Sequence, residues 1–449
     1  MGIFFLSWCI GCCVGACADD SEEEIMRKQR RKKKSKFIRP FCITLIVVVT
    51  IGLFAMFSYL WIIEPARPKD TSHFQLARRK LEQDVVGPGI VREDEQEQIN
   101  EILNSNNKYT DILNDSNYME QNNIYAKEAG DSAQVSIAFA GDILFDTNYA
   151  IMSKVLQSGG DIAGGIAPSL LSEMKSVDIM VLNNEFPYSD RGTPMPEKQF
   201  TFRAKPAAVS YLGDMGVDLV SLANNHAYDY GEQAFLDTMD VLREAGITYM
   251  GAGRDLEEAR RPVYYIINNM KIAFVAATQI ERLDNPDTKG ATETSAGVFR
   301  CWNGENLLAA VREAKENSDF VIVFLHWGTE NTETIDWAQE KQAPEVVEAG
   351  ADLIIGAHPH CLQPISIING VPVVYSLGNF WFNSKTVDTG MVKVILDENG
   401  LKSLQFVPCL QSGCTTSLVQ GEEKNRILDY MRELSTGVQI DEDGYIIRR

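Results

Sequence analysis

From residue 135 to about 378, short and almost unbroken apolar runs alternate with stretches whose apolar positions recur every three to four residues. The runs are "VSIAFA" (135–140), "VDIMVL" (177–182), "VDLVSLA" (217–223), "KIAFVAA" (271–277), "VIVFL" (321–325), "ADLII" (351–355) and "VPVVYS" (371–376). Runs that are apolar on both faces suit strands of a sheet covered on both sides. The helical periods fall near 206–215, 232–245, 304–317 and 336–349. This alternation predicts α/β layering. Two later runs, 391–396 and 402–408, have no clear helix between them, which predicts that part of the sheet is antiparallel or mixed.

Two earlier stretches break the pattern. Residues 41–63, "FCITLIVVVTIGLFAMFSYLWII", carry no charge. As a helix they would reach roughly 35 Å, enough for a bilayer core of about 30 Å. Phe57, Tyr59 and Trp61 cluster at the far end, and "RKQRRKKKSKFIR" precedes the near end. The reading is a single membrane-spanning helix. The basic block places residues 1–40 in the cytoplasm and the rest outside the cell membrane. The run is too long for a cleaved signal, and no small-residue cleavage site follows it. Residues 64–134 are rich in Asn, Gln, Glu and Asp, with too few apolar positions for a core, and read as a stalk. The expected order is a cytoplasmic tail (1–40), a span (41–63), a stalk (64–134) and one domain (135–449).

Charge narrows the partners. The whole chain carries −20, while the nine Lys/Arg and five acids of residues 1–39 leave the remainder more acidic still. An acidic outer body argues against nucleic acid as a partner; the bilayer is the partner the sequence names. Cys9, Cys12, Cys13 and Cys17 fall on the cytoplasmic side, where disulfides are rare. Leu6 stands where a myristoylation signal requires Ser or Thr. Cys301, Cys361, Cys409 and Cys414 fall outside, with no pairing fixed by the sequence.

Ligands in α/β folds bind beyond the carboxyl ends of the strands, so the residues after each run matter most. There stand Asp142; Asn183, Asn184 and Glu185; Asn224, Asn225 and His226, with Asp229 behind; His326, Trp327 and Glu330; His358 and His360; and Asn379. Four of the five histidines fall in this set. Imidazoles and carboxylates converging on one rim point to a divalent metal ion: zinc, manganese or iron. Glu185 has the form of a bridging carboxylate. Gly141, Gly356 and Gly378 allow tight turns beside these residues. In an extended "HPH", His358 and His360 would face the same side. Arg203 either clamps a phosphate or carboxylate or makes a structural ion pair. Glu330 and Asn379 either bind substrate or orient the histidines. Trp327 and Phe380 read as core or pocket wall, and Asp146 as a solvated loop residue.

"FAGDILFD", "NNEFP", "FRAKP", "LANNHAYDYG", "GAGRDLEEARRP", "LHWGTE", "GAHPHCLQP" and "YSLGNFWF" occur in that order between residues 135 and 385. Together they resemble the CapA family of bacterial poly-γ-glutamate capsule synthesis, which is similar in turn to calcineurin-like metallophosphoesterases. The resemblance implies a four-layer αββα sandwich and one or two metal ions per domain. It implies Asp142, Glu185, Asn225, His326, His358 and His360 as ligands and His226 as the catalytic proton donor. Where metallophosphoesterases carry Asp-x-His, "Asp142-Ile143-Leu144" lacks the histidine, so one metal position is expected to be depleted. Three functions compete. The first is an anchored outer subunit of capsule machinery, working beside other membrane subunits with a metal-dependent centre. The second is an extracytoplasmic phosphoesterase acting on an envelope substrate. The third is a non-catalytic polymer-binding or scaffold subunit.

Overall fold

Successive residues of the run at 135–143 face opposite ways. Ile137 and Phe139 enter one core, while Ala138 and Ala140 enter another. A strand with two buried faces lies between two apolar layers, as its unbroken apolar character predicts. In the computed structural model, which describes residues 107–280 and 288–447, this holds for the central strands of both sheets.

The strands in chain order are β1 (Ile124–Lys127), β2 (Val135–Ile143), β3 (Ile179–Asn184), β4 (Leu219–Ser221), β5 (Thr248–Met250), β6 (Val263–Ile267), β7 (Met270–Thr278) and β8 (Phe320–His326). They continue as β9 (Leu353–Ala357), β10 (Ile365–Ile368), β11 (Val371–Val374), β12 (Asn379–Trp381), β13 (Val387–Asp397), β14 (Gly400–Ser412) and β15 (Thr415–Leu418). One sheet runs β1-β6-β7-β8-β9-β11-β10 and the other β15-β14-β13-β2-β3-β4-β5, with β12 beside β2. The centres are parallel: β2 to β5 in one sheet, and β7, β8, β9 and β11 in the other. β13 is antiparallel to both β2 and β14, so the second sheet is mixed, as expected.

Three cores define four layers. The middle core packs Ile137, Phe139 and Val181 of one sheet on Phe274, Ile322 and Ile355 of the other. Outside the eight-stranded sheet lie α1 (Pro168–Met174), α2 (Ser210–Asp214) and α3 (Gly231–Glu244), through Leu170, Leu212 and Phe235. Outside the seven-stranded sheet lie α4 (Glu305–Glu316) and α5 (Trp337–Ala349), through Val311 and Val346. Local chemistry sets the boundaries of α5. Asp336 accepts from Ala338 and Gln339 while Gln339 bonds back to the Asp336 N–H, and Gly350 ends the helix at φ 119°.

Two expectations change. The stalk was expected to reach residue 134, yet Thr110–Leu113, Ser116–Gln121 and β1 are folded onto the body. β1 pairs in parallel with β6, and Leu113 and Ile124 join the outer core. Partly buried Tyr109, Ile112, Met119 and Ala126 pack on the same core, so a few spaced apolar residues and one strand pairing dock an otherwise polar segment. A further helix, α6 (Gly421–Leu434), buries Ile427, Leu428 and Met431 in the middle core where no helix was foreseen. Cys301, Cys361, Cys409 and Cys414 are free thiols. Among the described residues no helix is long and apolar enough to cross a membrane. The tail, the 41–63 segment and the stalk up to 106 lie outside the described residues.

Candidate metal centre

The parallel registers set the site. Asp142 lies opposite Asn183 on β3 and Asn379 on β12, and His326 ends β8 beside Ala357 of β9. The two sheets thus present their carboxyl ends to one another. Gly141 is required here, because a Cβ on it would stand 1.9 Å from the Gly378 carbonyl oxygen.

The donors form two groups. In the first, His326 Nε2 lies 2.8 Å from Asn225 Oδ1 and 3.1 Å from His358 Nδ1. Ligands bound at about 2.1 Å, at right angles, stand roughly 3.0 Å apart, so this spacing matches that of donors sharing an ion. In the second, His360 Nδ1 lies 3.0 Å from Asp142 Oδ2 and 2.8 Å from Asn379 Oδ1. Glu185 stands between them, with Oε1 3.5 Å from His326 Nδ1 and Oε2 3.9 Å from His360 Nε2. One donor atom from each of Asp142, Glu185 and His326 falls within 4.8 Å of the others. Asn183 ties the set together, with Nδ2 2.7 Å from Asp142 Oδ1 and 2.8 Å from Glu185 Oε1.

Burial and orphaned atoms fit a cation. Asp142, Glu185 and His326 are fully buried; among the described residues Glu185 Oε2 has no hydrogen-bond partner, and Asp142 Oδ2 has only the nearby His360 ring. Buried carboxylate oxygens left unpaired are costly, and a bound divalent ion removes that cost. Burial, then the adjacent Asp142 charge, holds the Glu185 carboxyl well above its ordinary value. Burial and the neighbouring imidazoles push His326 and His358 well below theirs, leaving neutral rings with free lone pairs. Burial is the largest influence on His360 and acts downward too, but Asp142, Glu330 and Asn379 together outweigh it and the net shift is upward.

His358 and His360 reach the site differently from the extended segment expected. Their φ values are 100° and 58°, a region that costs about 1–3 kcal/mol for residues other than glycine. The turn is held at Pro359, whose carbonyl accepts from the Asn331 N–H at 2.8 Å.

His226 turns Nδ1 to Asp229 rather than to any of the donors. Its Nδ1 lies 2.7 Å from Asp229 Oδ2, and the Phe202 ring packs 4.4 Å from its own. Burial is the largest influence on its basicity and lowers it; Asp229 opposes, while the Lys198 ammonium adds to the lowering. Lys198, with no signal in the sequence beyond a polar loop, is a site residue that reading missed. Its Nζ touches Asp229 Oδ1 at 2.5 Å and also the Asn225 carbonyl oxygen.

The remaining candidates divide. Asn379 is buried on His360, which fits orientation of the ring. Glu330 is exposed, and its charge still raises Glu185 and His360. The Arg203 guanidinium lies 4.3 Å over the Tyr230 ring and makes no ion pair among the described residues. Asp146 is buried rather than solvated, because its oxygens accept from the Asn148 and Arg203 N–H groups. Leu144, at the position of the absent histidine, is packed in the core. Trp327 and Phe380 are fully buried. A cavity of about 830 Å³ opens beside His360, between Cys361, Asp388 and α6. Its lining carries Glu333, Asp388, Glu422, Asp429 and Glu433 against Arg426 alone.

The profile of the family described as bacterial capsule synthesis protein PGA_cap matches residues 136–384. The chain belongs to this family. It is 31% identical over 281 residues to the PGA biosynthesis protein CapA of Bacillus subtilis (strain 168), a match covering 61% of this chain and 71% of that one. It is 33% identical over 241 residues to the capsule biosynthesis protein CapA of Bacillus anthracis, covering 51% and 57%. A probable polyglutamine synthesis accessory protein of Mycobacterium tuberculosis (strain CDC 1551 / Oshkosh) is 28% identical over 213 residues, covering 46% and 56%. The match thus spans just over half the length of the second and third relatives. Every donor named above lies inside residues 136–384, whereas α6 and the α6 side of the cavity lie outside.

Proposed function

We propose that this chain is a membrane-anchored component of poly-γ-glutamate capsule synthesis whose outer domain is a metal-dependent, metallophosphatase-like hydrolytic centre. The observation that carries this reading is the pair of carboxylate oxygens left without a hydrogen bond, Asp142 Oδ2 and Glu185 Oε2, which both face the His360 ring in a buried site beside the neutral rings of His326 and His358. Asn225, His326 and His358 would hold one ion, Asp142 and His360 a second, with Glu185 between them. Zinc, manganese and iron all accept this donor set. A bound divalent ion would polarise a phosphate ester and lower the pKa of the attacking water.

The residues supply the rest. Asp229 accepts from His226 Nδ1–H, which leaves Nε2 as the nitrogen that exchanges a proton with the leaving oxygen. Asn225 and His226 are neighbours with divided tasks: the amide oxygen turns to His326 and the imidazole to Asp229. Asn379 fixes the ring of His360. Arg203, which makes no ion pair with a carboxylate among the described residues, is a cation available to a phosphate or carboxylate group of the substrate.

The phosphoesterase reading and the capsule reading share this centre and differ in substrate. Leu144 favours the non-catalytic reading, because it leaves the second group short of a donor. Against a polymer-binding role stands the acidic cavity, which would repel a polyanion. In this reading the apolar 41–63 segment would anchor the chain with its domain outside the cell, among other capsule-synthesis membrane subunits. Two measurements test the proposal. Metal content and turnover of an aryl phosphate ester are measured on the purified full chain: metal with turnover supports the centre, and absence of metal refutes it. Protease added to intact, wall-stripped cells should remove the domain; its survival until the membrane is broken would reverse the orientation.

A further inference from the structure

One loop of the domain, residues 195–202, is stitched to the turn that carries Asn225 and His226. The Met195 N–H donates to the Asp229 carbonyl at 2.8 Å, and the Phe202 N–H donates to Asp229 Oδ2 at 2.7 Å. Lys198 makes the third tie. Its side chain is 8% exposed, and its ammonium meets both the fully buried Asp229 carboxylate and the Asn225 backbone carbonyl. A buried carboxylate requires a compensating charge. Here the charge comes from a lysine that also grips the peptide of the proposed ligand Asn225. Arginine would serve the carboxylate equally well through its fork, but a compact ammonium also fits the single carbonyl beside it.

We propose that Lys198 is a positioning residue that locks the 224–229 turn. It fixes Asn225 toward His326 and His226 toward Asp229 at the same time. The inference rests on the metal-centre reading above. It adds that the ligand amide and the proton-donating imidazole are held by one ammonium, supplied from a loop with no regular secondary structure. Loss of Lys198 leaves the Asp229 carboxylate with the Phe202 N–H and His226 but without its ammonium, and frees the Asn225 peptide, so both functions of the turn suffer together. A residue acting only on overall stability would leave the turn's local order and the balance between kcat and KM unchanged.

The test uses the full chain with Lys198→Met and Lys198→Arg. Hydrogen exchange of residues 223–230 is measured on the metal-free protein, Mn²⁺ affinity by titration, and kcat and KM on p-nitrophenyl phosphate. Lys198→Met should speed exchange of that turn at least tenfold with little change elsewhere. It should weaken Mn²⁺ binding about tenfold, the low end for a residue that orients a ligand. It should lower kcat more than tenfold with KM nearly unchanged. Lys198→Arg, which keeps the charge, should fold as the parent does and recover part of kcat and most of the exchange protection. Unchanged exchange and Mn²⁺ affinity in Lys198→Met would overturn the proposal. So would a rise in KM alone, which would make Lys198 a substrate contact. Should Lys198→Met not fold, Lys198→Arg decides: parental exchange with reduced kcat and Mn²⁺ affinity supports positioning, and wholly parental behaviour refutes it. If the parent chain binds Mn²⁺ but turns over no ester, the catalytic reading fails while the exchange and titration results still judge Lys198.

Discussion

The two donor groups at the centre of the site are built to different standards. The group of Asn225, His326 and His358 is buried and closely spaced, and its two imidazoles are held neutral. The group of Asp142 and His360 is thinner. Its histidine is 14% exposed and borrows Asn379 as a partner, and Leu144 occupies the place of a further donor. One group is preformed, and the other is open toward a cavity. The difference teaches that the two positions should load unequally, with the deep one filled first and the open one exchanging with solvent.

The largest expected effect falls on the residue that belongs to neither group. His226→Ala should keep its metal and its fold but lose about a hundredfold to ten-thousandfold in turnover, the usual weight of a general acid. Turnover beside metal content on the same sample makes the check. Full activity with the metal intact would remove the catalytic reading and leave a metal-stabilised binding module.

Next comes the direct contrast of the groups. His326→Ala should weaken the tighter ion more than a hundredfold, because residues that merely orient ligands are already worth about 10–100-fold. It should also lower the thermal midpoint in metal, since ions bound to the native state stabilise it by mass action. His360→Ala should weaken only the looser ion, by about tenfold, and spare most of the midpoint. Isothermal titration with Mn²⁺ separates the two phases. Equal losses in both variants would break the comparison.

Much of this asymmetry was legible beforehand, and the reason is local. Asp142, His326 and Asn225 follow apolar runs that can only be buried strands, so their positions at a common edge follow from the pattern. At the place of the absent Asp-x-His histidine the structure packs Leu144 into the core. Lys198 was not legible, because a lysine in a polar loop carries no periodicity and its partners lie about thirty residues away. The backbone at His358 and His360 was misread. "HPH" reads as extended, since proline disfavours helix at the preceding residue, yet both histidines adopt positive φ under the constraint of the site. β1 and α6 escaped notice because each buries few apolar residues within a polar stretch.

The buried Glu185 carboxyl yields a pH test of smaller size. Glu185 has a folded pKa raised above its ordinary value of 4.5, so between those values the folded, metal-free chain holds a proton that the unfolded chain releases. Stability from this group therefore falls as pH rises through that window. Glu185→Gln removes the term. In chelator, the variant should gain thermal midpoint over the parent, by about 2–4 °C for each kcal/mol in a domain of this size, and the gain should grow from pH 5 to pH 8. With metal present the order should reverse, because the parent then has the ion that its carboxylate requires. A gain independent of pH would mean that the carboxyl is not the titrating group.

The finest probe is Asn379. Its Oδ1 lies 2.8 Å from His360 Nδ1, while its backbone sits beside Asp142 on β2, so it packs on the imidazole of the open group without belonging to the deep one. Removing an orienting partner of a ligand histidine typically costs about 10–100-fold in affinity, and the low end applies where solvent already reaches the ring. Asn379→Ala should therefore weaken only the second Mn²⁺ phase, by about tenfold, and leave the first phase and the midpoint nearly unchanged. The neighbouring Gly378–Gly141 approach is backbone against backbone and does not depend on the Asn379 side chain, so the fold should tolerate the change. Asn379→Asp makes the complementary variant. A carboxylate there would add charge beside Asp142 and His360 and should tighten the second phase, turning the borrowed partner into a donor. If both variants altered the first phase instead, the two groups would be one site, and the distinction between a preformed and an open position would be lost.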